Sequence, residues 1–162
     1  MANRNEKGFT LIEIIVSLVL MAIIAAVVSM GFLEVVRGYV FARANADTVE
    51  KGQMAITRMI KELSCNASVS PITAGTATSV TFTRCSDNTP NHILTWANGT
   101  TVLSLDGITL TDQVNSFALA YYLKNGNPAA AASAQQIQIT LQLNAADNTV
   151  ETFTNRVYVG GL

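Results

Sequence analysis

The residue whose surroundings demand a chemical explanation is Glu13. It closes the stretch Lys7-Gly-Phe-Thr-Leu-Ile-Glu13, and every other side chain from Phe9 to Leu33 is apolar, small or hydroxylic. A carboxylate at the centre of a bilayer costs about 2.5–3.5 kcal/mol on the mildest insertion scale. Glu13 therefore needs either a partner of opposite charge or a short route to water at the cytoplasmic face. The uncharged run Ile14–Leu33 is 20 residues long; at ~1.5 Å per residue it matches a hydrocarbon core ~30 Å thick. Arg4 and Lys7 precede it and are opposed by Glu6 alone, so the positive-inside rule keeps the first residues cytoplasmic and sends the rest across the membrane. An ordinary secretory signal fits less well, because the apolar stretch continues past the small residues of 22–28.

Beyond this segment the chemistry is sparse. Cys65 and Cys85 are the only cysteines, and both fall on the extracytoplasmic side, where disulfides persist. Bonded, they would tie the end of a helix to the first strand, a closure worth about 3 kcal/mol in the chain-entropy account; two free thiols are the alternative. Cys85 and His92 lack a matching second pair of metal ligands. His92 is the sole histidine, and no Ser, Cys or paired carboxylate stands at a spacing that suggests a triad or dyad, so it reads as a solvent-facing or strand-edge residue. Asp87, Asp106, Asp112 and Asp147 are scattered among predicted turns, and the sequons at Asn66 and Asn98 read as chance. No cofactor, metal site or catalysis is expected. The acid and base counts, 11 and 10, give no single-sign field, so nucleic acid is not implied.

The elements that must carry these residues follow from pattern. The chain has 162 residues, 49% of them hydrophobic, enough for one modest domain plus one long apolar segment. One helix is predicted from Phe9 to Ser64. Its later part presents Val49, Ile56, Met59, Ile60 and Leu63 on one face, with Arg58–Glu62 and Asp47–Lys51 at four-residue spacing on the wetter side. Gly31, Gly38 and Gly52 are weak points in it, each costing ~1 kcal/mol against alanine. From Val69 the period becomes two, predicting antiparallel strands at Ser79–Arg84, His92–Ala97, Thr100–Leu105, Val114–Lys124, Gln136–Leu143 and Val150–Val159. Asn98-Gly99 carries the strongest two-residue hairpin signal. Asp106-Gly107 and Asn125-Gly126 mark further turns, 145–148 joins the last two strands, and the alanine-rich segment 128–134 reads as a mobile loop.

The basic leader, Gly8, Phe9, the Thr-Leu-Ile triplet and Glu13, feeding an apolar helix, resemble the start of type IV prepilins and type II secretion pseudopilins. That resemblance implies an α+β pilin-like fold, one long N-terminal helix packed on an antiparallel β-domain. It implies a leader (residues 1–8, with Arg4 and Lys7) removed by a prepilin peptidase between Gly8 and Phe9, and methylation of the new Phe9 amine. It divides the remainder into a transmembrane, filament-core helix (9–34) and an extracytoplasmic half-helix plus β-domain (35–162). Glu13 would then pair with the Phe9 amine of a neighbouring subunit and set the stagger between helices. The implied partners are the peptidase, other pilins or pseudopilins, the inner-membrane assembly platform and the lipid bilayer, with the body periplasmic. The absence of a helix-breaking proline and the body around Tyr121-Tyr122 are similar to minor pilins and J-type minor pseudopilins. A major fibre subunit, and a signal-anchored adhesin or receptor with a ligand-binding β-domain, stand as alternatives.

Overall fold

The structure, a computed structural model, describes residues 8–64, 72–84 and 88–160. No proline interrupts residues 9–65, and helix α1 (Leu11–Leu63) runs unbroken through all three glycines. It opens where the Thr10 carbonyl accepts the backbone N–H of Glu13 (3.1 Å) and of Ile14 (3.3 Å). It closes with Lys61 in the last turn and the Ser64 N–H donating to the Ile60 carbonyl at 2.7 Å. Glu13 in the first turn and Lys61 in the last each oppose the partial charge of their helix end. By internal contact the chain divides into two units, Met1–Ala42 and Arg43–Leu162.

Among the described residues of the second unit, eight antiparallel strands form two sheets where the alternating pattern predicts one run of sheet. The first holds β1 (Ile72–Gly75), β2 (Ser79–Phe82), β3 (His92–Trp96), β4 (Leu103–Leu105) and β5 (Ile108–Thr111), in that order. The second holds β6 (Val114–Tyr122), β7 (Gln136–Asn144) and β8 (Val150–Tyr158), with β7 in the middle. Two backbone bonds join the sheets, from the Leu119 N–H to the Ala77 carbonyl (2.7 Å) and from the Val114 N–H to the Thr101 carbonyl (2.9 Å). The Tyr121 hydroxyl adds a third by donating to the Thr76 carbonyl at 2.9 Å. Burial pushes that phenol up to about 12, so it remains a donor throughout the physiological range. β7 shows why the pattern was readable: Ile137, Ile139, Leu141 and Leu143 are wholly buried while the residues between them are half-buried. Each such side chain contributes about 1.5–3 kcal/mol relative to exposure.

Turn chemistry departs from expectation at two places. The two-residue turn with positive φ at both centres is Asp106-Gly107 (54° and 78°), between β4 and β5. At Asn98-Gly99 only the glycine has positive φ (83°), so it is not the I′ hairpin that the dipeptide favours. There the Thr100 carbonyl accepts the Trp96 indole N–H (2.9 Å) and Thr101 accepts the Val114 N–H, which draws residues 97–102 out of the ladder. The alanine-rich segment is likewise not a free loop. It forms a 3-10 turn at Ala131–Ser133, Ala134 is fully buried, and the Ala129 N–H bonds the Tyr121 carbonyl (2.9 Å). Its small side chains allow that close seating.

The buried face of α1 is Thr48, Gly52, Ala55, Ile56, Met59, Glu62 and Leu63, rotated from the predicted stripe toward its smallest members. Val49 and Ile60 sit half-buried at its border. Gly52 is therefore a packing residue and not a bend: an added Cβ would lie 2.3 Å from the ring of Phe153. Replacing Gly52 with valine should lower unfolding free energy by about 2 kcal/mol, because overpacking at ~1–3 kcal/mol exceeds any gain in helix propensity. In a Phe153→Ala background the valine penalty should largely vanish, and denaturant melts of the four proteins check this coupling. Equal penalties in both backgrounds would mean that the ring is not what Gly52 accommodates.

Candidate assembly helix and processing site

The first unit is an exposed apolar surface. All residues from Gly8 to Arg43 are exposed in the isolated chain, among them Leu18, Ile24, Val28 and Phe32, each more than 60% accessible. One helix, α1, is long and apolar enough to cross a membrane. Its two serine hydroxyls are satisfied within the helix, Ser17 donating to the Ile14 carbonyl (2.9 Å) and Ser29 to that of Ala25 (2.7 Å). Charge returns after Leu33 with the exposed pair Glu34–Arg37 at 3.5 Å. Among the described residues nothing pairs with the Glu13 carboxylate.

Gly8 and Phe9 lie before the helix, outside any regular element, and a Cβ added at Gly8 would meet no atom within 4 Å. Phe9 is 78% exposed. Four residues separate it from Glu13, so the two stand about one helical turn apart along the chain. Thr10 belongs to the same site, although charge patterning does not reveal it. Its carbonyl receives the first helical bonds, and Thr10-x-x-Glu13 has the spacing that marks a helix start. Arg4 and Lys7 lie outside the described residues, as do Cys65 and Cys85.

The polar groups of the β-unit are engaged in tying its elements together. His92 is not solvent-facing. Its Nδ1 lies 2.7 Å from Asp106 Oδ2 and its Nε2 lies 2.7 Å from Thr89 Oγ1, while Asp106 Oδ1 accepts the Ile93 N–H at 2.8 Å. Glu62, expected on the wet side, is buried, with Arg58 at 2.9 Å and Arg84 at 2.5 Å. This joins the end of α1 to the segment after β2. Lys51 reaches Asp112 (2.8 Å) instead of Asp47. The candidate metal ligands form no cluster of three among the described residues.

Burial works to raise the Asp106 pKa, but the hydrogen bonds from His92 and Ile93 and the charges of His92 and Arg84 outweigh it. The carboxyl is held below its ordinary value of 3.8. The folded pKa is thus lower than the unfolded one, so the contribution is present above pH ~4 and is lost as pH falls through the folded pKa. Asp106→Asn keeps an acceptor for Ile93 and tolerates the positive φ. Its melting temperature should fall less between pH 4 and pH 2 than that of the parent; parallel curves would remove Asp106 from the account.

Comparison with known proteins gives one match, the prokaryotic N-terminal methylation motif, over residues 3–29. No curated protein matches the chain. The type IV pilin-like processing and methylation signal is therefore present, and it is followed by a pilin-like fold in which a long N-terminal helix packs on antiparallel sheet. The combination is that of a pilin-like assembly protein, and among the described residues it joins one helix apolar enough to span a membrane to a separate globular unit. The motif implies processing by a prepilin peptidase and pilus-type assembly machinery.

Proposed function

We propose that this chain is a minor pilin or pseudopilin subunit of the priming or tip complex of a type IV pilus or type II secretion pseudopilus. In this reading prepilin peptidase, guided by Arg4 and Lys7, cuts between Gly8 and Phe9, and the new Phe9 amine is methylated. The mature chain then waits in the inner membrane with its β-unit in the periplasm. Assembly withdraws α1 from lipid into a bundle of like helices on the inner-membrane platform. The observation that carries the reading is Glu13, a lone carboxylate five residues beyond Gly8 on a segment that is otherwise uncharged and exposed as far as Leu33. A carboxylate and an amine, each costly alone in an apolar layer, become tolerable as a hydrogen-bonded pair. Pairing Glu13 with Phe9 of a neighbouring subunit would select one axial stagger among many that are otherwise equally apolar.

The absence of a proline in α1 supports a minor over a major subunit. Deleting the protein should stop filament initiation, and sheared filaments should contain it far below the level of the fibre subunit. Dominance in those filaments would make it the major subunit, and normal filaments without it would remove it from initiation.

A Cys65–Cys85 bridge belongs to the same reading, supported by the Glu62–Arg84 pair, which draws together positions three before one cysteine and one before the other. Reduction should then lower the melting temperature of the β-unit. An unchanged melt, with both thiols alkylated in the folded protein, would exclude the bridge.

A further inference from the structure

β8 presents the longest bare sheet edge among the described residues. It pairs with β7 without a register shift across nine positions. At the two ends of that register the Ala145 N–H bonds the Thr149 carbonyl (2.8 Å) and the Val159 N–H bonds the Gln135 carbonyl (3.0 Å). Bonded pairs recur at every second residue of an antiparallel ladder, so the odd-numbered residues of β8 face β7. The N–H and C=O groups of Val150, Thr152, Thr154, Arg156 and Tyr158 point outward.

Edges left in this state attract further strands and are ordinarily blunted, and the other edges of this unit are. β1 lies against the Ala131–Ser133 turn, β6 is bonded to Ala77 and Thr101, and short β5 follows a bulge and ends at the Lys51–Asp112 pair. β8 has no proline, no lysine and no bulge, its Arg156 is turned back onto Gln138 and the Tyr122 ring, and among the described residues no other strand pairs with its outer side. Beside it an open groove of about 470 Å³ separates β8 from α1, floored by Ile56, Ile60 and Phe153 and lined by no charged side chain.

We propose that β8 is a docking edge for an extended, uncharged segment of a partner protein, which adds as a fourth strand to the β6-β7-β8 sheet. Outward backbone groups at every second residue are complementary to another strand, and the uncharged groove takes apolar side chains at alternate positions of that strand. A second copy fits less well, because its own β8 would bring the charged Glu151 and Arg156 to an edge whose groove holds no charged side chain. This surface uses no residue of the apolar segment before Arg43 and does not depend on the helix-driven assembly proposed above.

The test is backbone amide exchange on the full chain in detergent micelles, with a short capped peptide of alternating threonine and valine as probe. Saturating peptide should slow exchange at Thr152, Thr154 and Arg156 about tenfold or more and leave Phe153 and Asn155, already in the ladder, unchanged. Thr154→Pro removes only an outward N–H, which edge strands tolerate. It should keep the parent melting temperature and lose the protection, and Thr154→Lys, with its backbone intact, should also lose it. No protection by the peptide, or equal protection of odd and even residues, would overturn the proposal. Protection without peptide that rises with protein concentration would assign the edge to a second copy and would equally overturn it.

Discussion

Glu13→Ala should be cut, inserted and folded normally and yet fail to enter the filament. None of the first three steps uses the carboxylate: cleavage acts before Phe9, the β-unit begins far along the chain, and insertion becomes easier by about 2.5–3.5 kcal/mol once the charge is gone. Entry is different if the charge pairs with the Phe9 amine of a neighbour. Loss of a charge-assisted hydrogen bond, ~1.5–3 kcal/mol, corresponds to a fall of about ten- to a hundredfold in equilibrium incorporation. Cross-linking to partner subunits measures this, with processing followed in the same cells. Glu13→Gln keeps size and hydrogen bonding but cannot neutralise an ammonium, so it should resemble alanine more than the parent. Parental cross-linking by processed Glu13→Ala would mean that apolar packing alone sets the stagger.

Gly8→Leu should accumulate as uncut precursor with its β-unit unaltered. Gly8 is exposed and precedes α1, where a side chain would meet nothing in the protein itself, so a defect would not arise from misfolding. It must arise in the peptidase, which needs close approach to the backbone at the cut, and close approach is what a glycine permits. Cut after Gly8, as proposed, the parent would leave a chain of 154 residues, a difference that mass measurement resolves easily. Normal maturation of the leucine variant would remove Gly8 from the recognition site.

The parts of the fold readable from sequence are those in which one face is buried at a regular period. α1 was legible because no proline breaks it, β7 because its apolar residues alternate, and β8 because it is rich in β-branched and aromatic residues. β1 and β5 were not, since each has only four residues and a single buried position. Packing by small residues was also hidden: Gly52 reads as a weak point in one dimension and as a seat for Phe153 in three. The burial of Glu62 depends on Arg84, 22 residues further on, and no helical spacing encodes that partner. At the assembly site the reverse holds. Gly8, Phe9 and Glu13, the residues proposed for it, lie within six positions of the chain, so their spacing is read directly from the sequence. What the chain alone leaves out is the partner for Glu13, which the account places on another subunit.

The central claim, that this is a processed pilin-like subunit, is tested most directly by mass spectrometry of its amino end in the membrane and filament fractions. The account predicts N-methylated Phe9 as the first residue of a 154-residue chain. An intact Met1, or an unmodified end elsewhere in the apolar run, in assembled material would contradict it.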